Sequence, residues 1–395
     1  MSLDFQQVRQ QIQQLAEGAP AREERRRNLL EEADRLLTRH AMDLDYLREK
    51  VERAAAQDQY FRSAVPVSEA LNDSFPLPDM PAEATLIAAD GSQINPDRHL
   101  GIEYCLVNVG AIQMSLGQNN APATTIQSTL YYGEELFSMQ EKIVALIRDT
   151  REREILADLA EGATGMVVTF TDGPVELWGR EVALDEEEVQ DERNFFERYQ
   201  DALSRLYTHK TITAGYVDRP RSDLVIRLLE LAPDTKNAAD ARKNRWLRGI
   251  LDTEILEKII RPGERSAIFG LLSPTSKKYR SVFSLHFFYL NVSLIEGKPM
   301  LARVEVPAWV AQDPAMVDVL HAILVQQCQI VPTKQYPYLL TRADETAVVS
   351  MDEKEQVDRM IAQEMYKRGV GFAEKSQKQQ SKEIARQKPH RKKGI

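Results

Sequence analysis

The sequence predicts an α/β fold in which a mixed sheet is flanked by helices, and three observations carry that reading. Between residues 85 and 135, three runs rich in β-branched and aromatic residues follow one another with short, turn-forming connections. A long helical segment then leads into the nearly all-apolar run "GMVVTFTDG". From there helix and strand patterns alternate to about residue 350. A helical arm (1–63) precedes this core; a last helix (351–373) and a basic tail of disordered composition (374–395) follow it.

The elements follow in order. Over residues 3 to about 60, Phe5, Val8, Ile12 and Leu15 recur at helical spacing, and Leu29, Leu30, Leu36, Leu37, Leu44, Leu47 and Val51 continue less regularly. The intervening "AREERRRN" is a solvated charged face, so the segment is expected to be a helical hairpin or coiled-coil arm serving assembly. Residues 64–84, "AVPVSEALNDSFPLPDMPAEA", are rich in Pro and turn residues and predict a boundary. "TLIAAD" (85–90), "IEYCLVNVGAIQMS" (102–115) and "TTIQSTLYYGEE" (124–135) predict an antiparallel meander. A helix over 136–162 should end at Gly162, and the buried strand 165–173 ends in a second Asp-Gly. Next come a helix near 189–208, a strand at 211–217, a helix at 222–231 and strands at 282–293 and 300–307. A helix over 313–329 carries Pro314 in its first turn, and "LLTRADETAVVS" (339–350) leads to the final helix.

Composition bounds the function. With 43% hydrophobic and 28% charged residues over 395 positions, the chain is ordinary globular material, expected to form one main domain (80–350) with appendages. No stretch approaches the roughly 18 apolar residues of a membrane span. The first twenty residues carry Gln, Asp and Glu where a signal peptide needs an apolar segment, so a cytoplasmic protein is expected. Cys105 and Cys328 lie far apart in apolar runs and read as buried thiols; the six histidines form no HxxxH or HxH pair. Any metal would therefore be held by oxygen. The net charge of −9 hides an asymmetry: residues 374–395 hold eight Lys or Arg against two Glu, a local +6 that leaves −15 on the remainder.

Asp90 closes the first predicted strand and Asp172 the fourth, in a β-β-β-α-β-α order that matches the layout of a ribonuclease H-like core. Carboxyl ends of strands after crossovers share a crevice, so two acids 82 positions apart could meet. Two divalent ions can activate water and neutralise a departing oxyanion in phosphodiester hydrolysis, and Mg²⁺ or Mn²⁺ takes carboxylate oxygen. Asp-Gly after an apolar strand is also an ordinary turn signal, because Asp bonds its own backbone and Gly accepts positive φ. Both readings of Asp90 and Asp172 stand at this level.

Three motifs in order resemble one family. "IAADGSQI", "VTFTDGPV" and "YPYLLTRADETAVV" together resemble the NurA nucleases over approximately residues 80–350. The resemblance implies a ribonuclease H-like fold and a manganese-dependent, dimeric nuclease that resects DNA ends 5′ to 3′ with the hexameric HerA translocase. It also implies metal ligands at Asp90 and Asp172, completed by a helix glutamate upstream of the second Asp, which here means Glu152, Glu154 or Glu161. At 100° per residue Glu154 falls within about 20° of Ile143 and Ile147, whereas Glu152 points nearly opposite Ile143; this wheel favours Glu154. The last motif resembles the family pattern YPxxLxxAH, whose Tyr and His line the active site. Tyr336 matches the former, and Asp344 stands where the histidine belongs. Aspartate can ligate Mn²⁺ or Mg²⁺, but it cannot act as a neutral imidazole ligand or near-neutral proton shuttle. The same stretch also reads as a polar helix start with Asp344 solvated.

Contacts to nucleic acid are less distinct. "GYVDRPRSD" puts Arg219 and Arg221 between a strand and a helix start, a suitable place for phosphate contacts that carry no sequence information. "SPTSKKYR" supplies a second basic turn, with phosphate contacts expected from Lys278 and from position 279 beside it. The leading expectation is a metal-dependent nuclease acting on DNA ends and single strands. A catalytically weak assembly subunit of a DNA translocase is the alternative. A phosphatase with Asp90 as nucleophile is weaker, since "DGSQI" has Ser92 where D-x-D-x-[TV] has its second acid.

Overall fold

A computed structural model describes residues 3–97, 102–133, 141–177, 186–233, 245–293, 295 and 297–369. The basic tail expected at 374–395 lies outside them. In chain order the elements are α1 (Phe5–Glu17), α2 (Ala19–Arg39), α3 (Leu44–Gln57), β1 (Ser63–Pro66), β2 (Ser74–Phe75), β3 (Ala84–Ile94), β4 (Tyr104–Leu116), β5 (Ala123–Tyr132), α4 (Glu141–Glu161), β6 (Val167–Asp172), α5 (Glu186–Thr208) and β7 (Ile212–Val217). They continue with α6 (Leu224–Leu231), α7 (Asp252–Leu256), β8 (Arg265–Ser266), β9 (Phe269–Leu272), β10 (Leu285–Asn291), β11 (Leu301–Pro307), α8 (Ala308–Ala311), α9 (Pro314–Gln329), α10 (Tyr338–Ala347) and α11 (Met351–Lys367). Two compact units alternate along the chain: Glu83–Thr169, Leu177–Thr211 and Leu339–Ile395 form one, and Met1–Ala82, Phe170–Glu176 and Ile212–Tyr338 form the other.

The first unit contains the expected meander. β3 and β4 pair antiparallel from Ala84↔Leu116 to Ile94↔Leu106, and β4 pairs with β5 in the same sense. β6 begins beside β3, where Thr85 donates its N–H to the Met166 carbonyl at 2.8 Å. The two strands start together and therefore run parallel, as a crossover through a helix requires. The strand order here is β6-β3-β4-β5. Leu86, Ile87, Ala88 and Ala89 are fully buried, as are Val144, Ile147, Ile155 and Leu156 of α4, so burial of the helix and the strand forms one core. A β-β-β-α-β path with this strand order is a ribonuclease H-like core.

In the second unit the order is β1-β9-β10-β11-β7-β6. β10 and β11 pair antiparallel over seven residues, every one of them buried, including Arg303 and Glu305 of β11, which pair with each other at 2.6 Å. Gly173, at φ +92°, turns the chain after β6 and donates to the Tyr216 carbonyl at 2.8 Å. Asp313 caps α9 by accepting from Ala315 and Met316 backbone N–H groups, with Pro314 following it, as the sequence predicts.

Two expectations change. Residues 64–84 are not only a boundary: they hold β1, a four-residue strand at the end of the strand order, and β2. Its terminal Pro66 suits an edge, where a missing N–H leaves no ladder bond unmade. The first strand also does not stop at Asp90, as described below. Among the described residues, no helix is long and apolar enough to cross a membrane.

Candidate active site

β3 runs through the Asp-Gly-Ser triplet to Ile94, with Asp90 opposite Gly110, Gly91 opposite Val109 and Ser92 opposite Asn108. No turn forms there. Gly91 lies outside the positive-φ glycines, so its role is clearance. A Cβ on it would come within 2.5 Å of Arg148 Cγ and 2.7 Å of Glu152 Oε1. The missing side chain lets α4 lay two charged residues on the strand beside Asp90. Asp90 is half-buried, and its Oδ1 accepts the Gly91 N–H at 2.8 Å.

The α4 helix brings a buried carboxylate to that position, and it is Glu152. Burial, then the charges of Asp149 and Asp90, push the Glu152 carboxyl well above the ordinary glutamate range, against the opposing pull of Arg148 and Arg153. Arg148 lies one turn earlier on α4: its Nε is 3.4 Å from Glu152 Oε1, and its Nε and Nη2 donate to Asp149 Oδ1 at 3.1 and 2.8 Å. Arg148 also feels the charge of Asp90.

Glu154, favoured by the helix wheel, has a different environment. Its two oxygens accept from Arg198 Nε and Nη2 of α5 at 2.8 and 2.9 Å, and Arg151 Nη1 adds a contact at 3.2 Å. Glu161 accepts from Arg205 Nε at 2.6 Å. The structure therefore brings Glu152 to Asp90 and commits Glu154 and Glu161 to ion pairs between α4 and α5. The wheel misled because α4 is buried on several sides: Thr150, Glu152 and Arg153 are buried along with its apolar residues.

Ser92 and Asn108 serve the last motif. Ser92 Oγ and Asn108 Nδ2 both donate to the Ala347 carbonyl, at 2.5 and 2.7 Å, and Ser92 Oγ accepts the Val349 N–H at 3.2 Å. These bonds satisfy backbone groups at the C-terminal end of α10. Gly110 completes the seat, since a Cβ there would lie 2.8 Å from Ala347 N. Asp344, about one turn back on α10, is exposed and sits within the helix rather than at its start.

The remaining candidates lie in the second unit. Asp172 is the exposed last residue of β6. Tyr336 is half-buried and packs edge-on against Tyr216, with ring centroids 5.6 Å apart. Tyr216 Oη lies 3.7 Å from Cys328 Sγ. Arg219, Arg221, Lys277 and Lys278 are exposed; Arg219 lies 3.7 Å from Asp218, and Lys277 Nζ donates to the Gln59 carbonyl at 3.3 Å. The basic turn is thereby corrected by one position. Residue 279 is a tyrosine and brings no charge: Tyr279 is buried, and its hydroxyl donates to the Val175 carbonyl at 3.4 Å. The two lysines of this turn are therefore Lys277 and Lys278, followed by the exposed Arg280, with Tyr279 anchoring the turn to the core. Asp252, pushed up to about 7 by burial, accepts from Tyr289 Oη at 2.7 Å and the Ile226 N–H at 2.9 Å, a structural arrangement within this unit. Burial pushes the Cys105 and Cys328 thiols up to about 11 and about 12, which leaves them protonated and poor ligands near neutral pH.

The donors around β3 suit a hard divalent cation. They are carboxylate oxygens, and one of them is buried where like charges oppose its ionisation. Among the described residues no three His, Cys, Asp or Glu side chains form a metal-holding group; the guanidinium of Arg148 lies against Glu152 and Asp149, and the charge of Arg153 also reaches Glu152. The residues present thus fit a metal in chemistry, with Glu152 and Asp90 as the pair that would hold it.

Fold and site together define an α/β protein of the ribonuclease H-like class with oxygen donors on its first core strand. The chain belongs to the NurA domain family, whose model matches residues 84–349 and so includes Asp90, Glu152, Asp172, Tyr336 and Asp344. Among solved structures it is similar to a crystal structure of NurA, at 11% identity over 73% of this chain and 90% of that one, with a TM-score of 0.41. NurA bound to dAMP and manganese aligns at 10% identity over 80% and 92%, with a TM-score of 0.34. The catalytic domain of human Endonuclease V aligns at 12% identity over 81% and 98%, with a TM-score of 0.32. No curated protein sequence matches the chain.

Proposed function

We propose that this protein is a metal-dependent deoxyribonuclease that processes DNA ends and single strands in the cytoplasm. The observation that carries the reading is the buried Glu152 carboxylate, held beside Asp90 by the absent side chain of Gly91. Asp90 and Glu152 would hold Mn²⁺ or Mg²⁺, joined by Asp172 on the strength of the family motif. Two such ions, when bound, supply an activated water and neutralise the departing oxygen. Glu152 would present its oxygen to the ions from a buried position, and Ser92 and Asn108 fix the end of α10, which carries Asp344. Tyr336 and Asp344 are proposed to flank the scissile phosphate, and Arg219, Arg221, Lys277 and Lys278 to make phosphate contacts without sequence preference.

Family membership also supports a homodimer working with a hexameric HerA-type translocase, cutting 5′ to 3′. An acidic body fits such a partnership, because a partner's channel can deliver the strand. The arm supports assembly as well: Phe5, Val8, Ile12 and Leu15 repeat at three- and four-residue spacing on α1, a helix with no buried residue. Labelled linear DNA incubated with the protein and Mn²⁺ tests the enzyme reading; intact DNA, with the translocase present, would defeat it.

One observation favours a second reading, in which the chain is a regulatory subunit with weak catalysis. Asp344 is exposed where the family pattern has a histidine. In that case Asp90→Asn would change no nuclease or cellular phenotype, while deletion of residues 1–60 would abolish function.

A further inference from the structure

Arg148 is the side chain that neither the sequence motifs nor the family pattern assigns. Arg148 and Glu152 share the space a Cβ on Gly91 would take, at 2.5 Å from the Arg148 Cγ and 2.7 Å from Glu152 Oε1, and both feel the charge of Asp90. Its guanidinium bonds Asp149 through Nε and Nη2 and lies 3.4 Å from Glu152 Oε1. Asp90, Asp149 and Glu152 gather three carboxylates around this spot; the charges of Arg148 and Arg153 both reach Glu152, and Arg148 lies 3.4 Å from its Oε1. The Arg148 side chain is 33% exposed, so its head has a route to solvent.

We propose that Arg148 is the built-in counter-ion of the metal site: it neutralises the carboxylates while they are metal-free and must yield the Glu152 oxygen when a divalent cation binds. The inference rests on the metal reading above. Its physical basis is competition, since a guanidinium and a dication drawn to the same oxygen repel each other strongly at a few ångströms, even at the effective dielectric of a protein surface. Arg148 therefore sets the threshold concentration at which metal enters, and so acts on the site as a positioning residue rather than a catalytic one. A residue that merely braced α4 would have the opposite signature, because its loss would loosen the ligands and weaken binding.

Manganese titration of the full-length protein, with free Mn²⁺ followed by its electron paramagnetic resonance signal, separates these cases. Arg148→Met is expected to bind Mn²⁺ about tenfold tighter than wild type or better, and Arg148→Lys, which keeps the charge, to stay near wild type. Arg148→Gln, which drops the charge but keeps a donor for Asp149, should tighten binding too and stands in if the Met variant does not fold. Equal or weaker binding by the folded, charge-free variants, with wild type still binding, overturns the inference while sparing the metal site. Absence of any binding by wild type that Asp90→Asn removes overturns both.

Discussion

Replacing Glu152 with Gln removes one charge from the carboxylates beside β3 and leaves the side chain's shape intact, so its effects can be separated from packing. Two consequences oppose each other. Without metal, the wild-type carboxyl is raised by burial and by Asp149 and Asp90. A folded pKa above the unfolded one gives a stability contribution that is complete below the ordinary glutamate range and is lost as pH rises through the raised value. The variant cannot ionise, so metal-free Glu152→Gln should match wild type at about pH 4 and exceed it in stability at alkaline pH. With metal the order reverses. At Mn²⁺ about 100-fold above its Kd, wild type gains about 2.7 kcal/mol; a variant whose Kd has risen about 100-fold gains only about 0.4 kcal/mol. Turnover should fall by about 10²–10³, a loss of the size seen when one charge-stabilising group leaves an active site. Glu154→Gln supplies the contrast. It weakens three charge-assisted contacts at 2.8, 2.9 and 3.2 Å. Because Arg198 is 39% exposed, solvent screening leaves a cost of about 1 kcal/mol that is the same with and without Mn²⁺. Urea unfolding of both variants with and without Mn²⁺, alongside cleavage of linear DNA, gives the answer. Loss of the Mn²⁺ response in Glu154→Gln and its survival in Glu152→Gln would refute the assignment.

Gly91→Ala places a methyl group against Arg148 Cγ and Glu152 Oε1; it should destabilise the fold by about 1–3 kcal/mol and abolish Mn²⁺ binding, read by denaturation and calorimetry. Asn108→Leu leaves the Ala347 carbonyl dependent on Ser92 alone and should cost about 1–3 kcal/mol, with faster amide exchange at the end of α10. Asp344→His restores the family's residue, and a pH–rate profile should gain a limb at about pH 6–7; an unchanged profile would show that position 344 takes no part in proton transfer. Ile12→Asp with Leu15→Asp breaks the exposed seam of α1 and should lower the association state in sedimentation while leaving cleavage of short DNA by the isolated protein intact.

How much of this could be read from residues alone depended on where local pattern and tertiary contact agree. The meander was legible because β-branched runs alternate with turn residues, and α9 because Asp313 and Pro314 mark its start. The Asp-Gly-Ser triplet failed as a turn for a physical reason. Two roles of glycine, tolerance of positive φ and admission of a close neighbour, look identical in sequence, and Gly91 has the second while Gly173 has the first. Glu152 was hidden by the same ambiguity one level up. A helix wheel assumes one apolar face toward the core, but α4 is buried against β3 on one side and pairs Glu154 with Arg198 of α5 on another, so the polar residue most opposed to Ile143 is also a buried one. A signal did exist: Arg148 precedes Glu152 by four residues, the spacing of a helix ion pair, and a cation four residues before a candidate ligand marks a carboxylate whose charge needs cancelling. Glu154 carries the same kind of signal, because Arg151 three residues back pairs with it at 3.2 Å, so spacing narrows the choice without making it. What separates the two glutamates is tertiary: Glu152 is buried against Gly91, whereas Glu154 takes a second cation, Arg198, from α5, and neither contact is written in the spacing of α4.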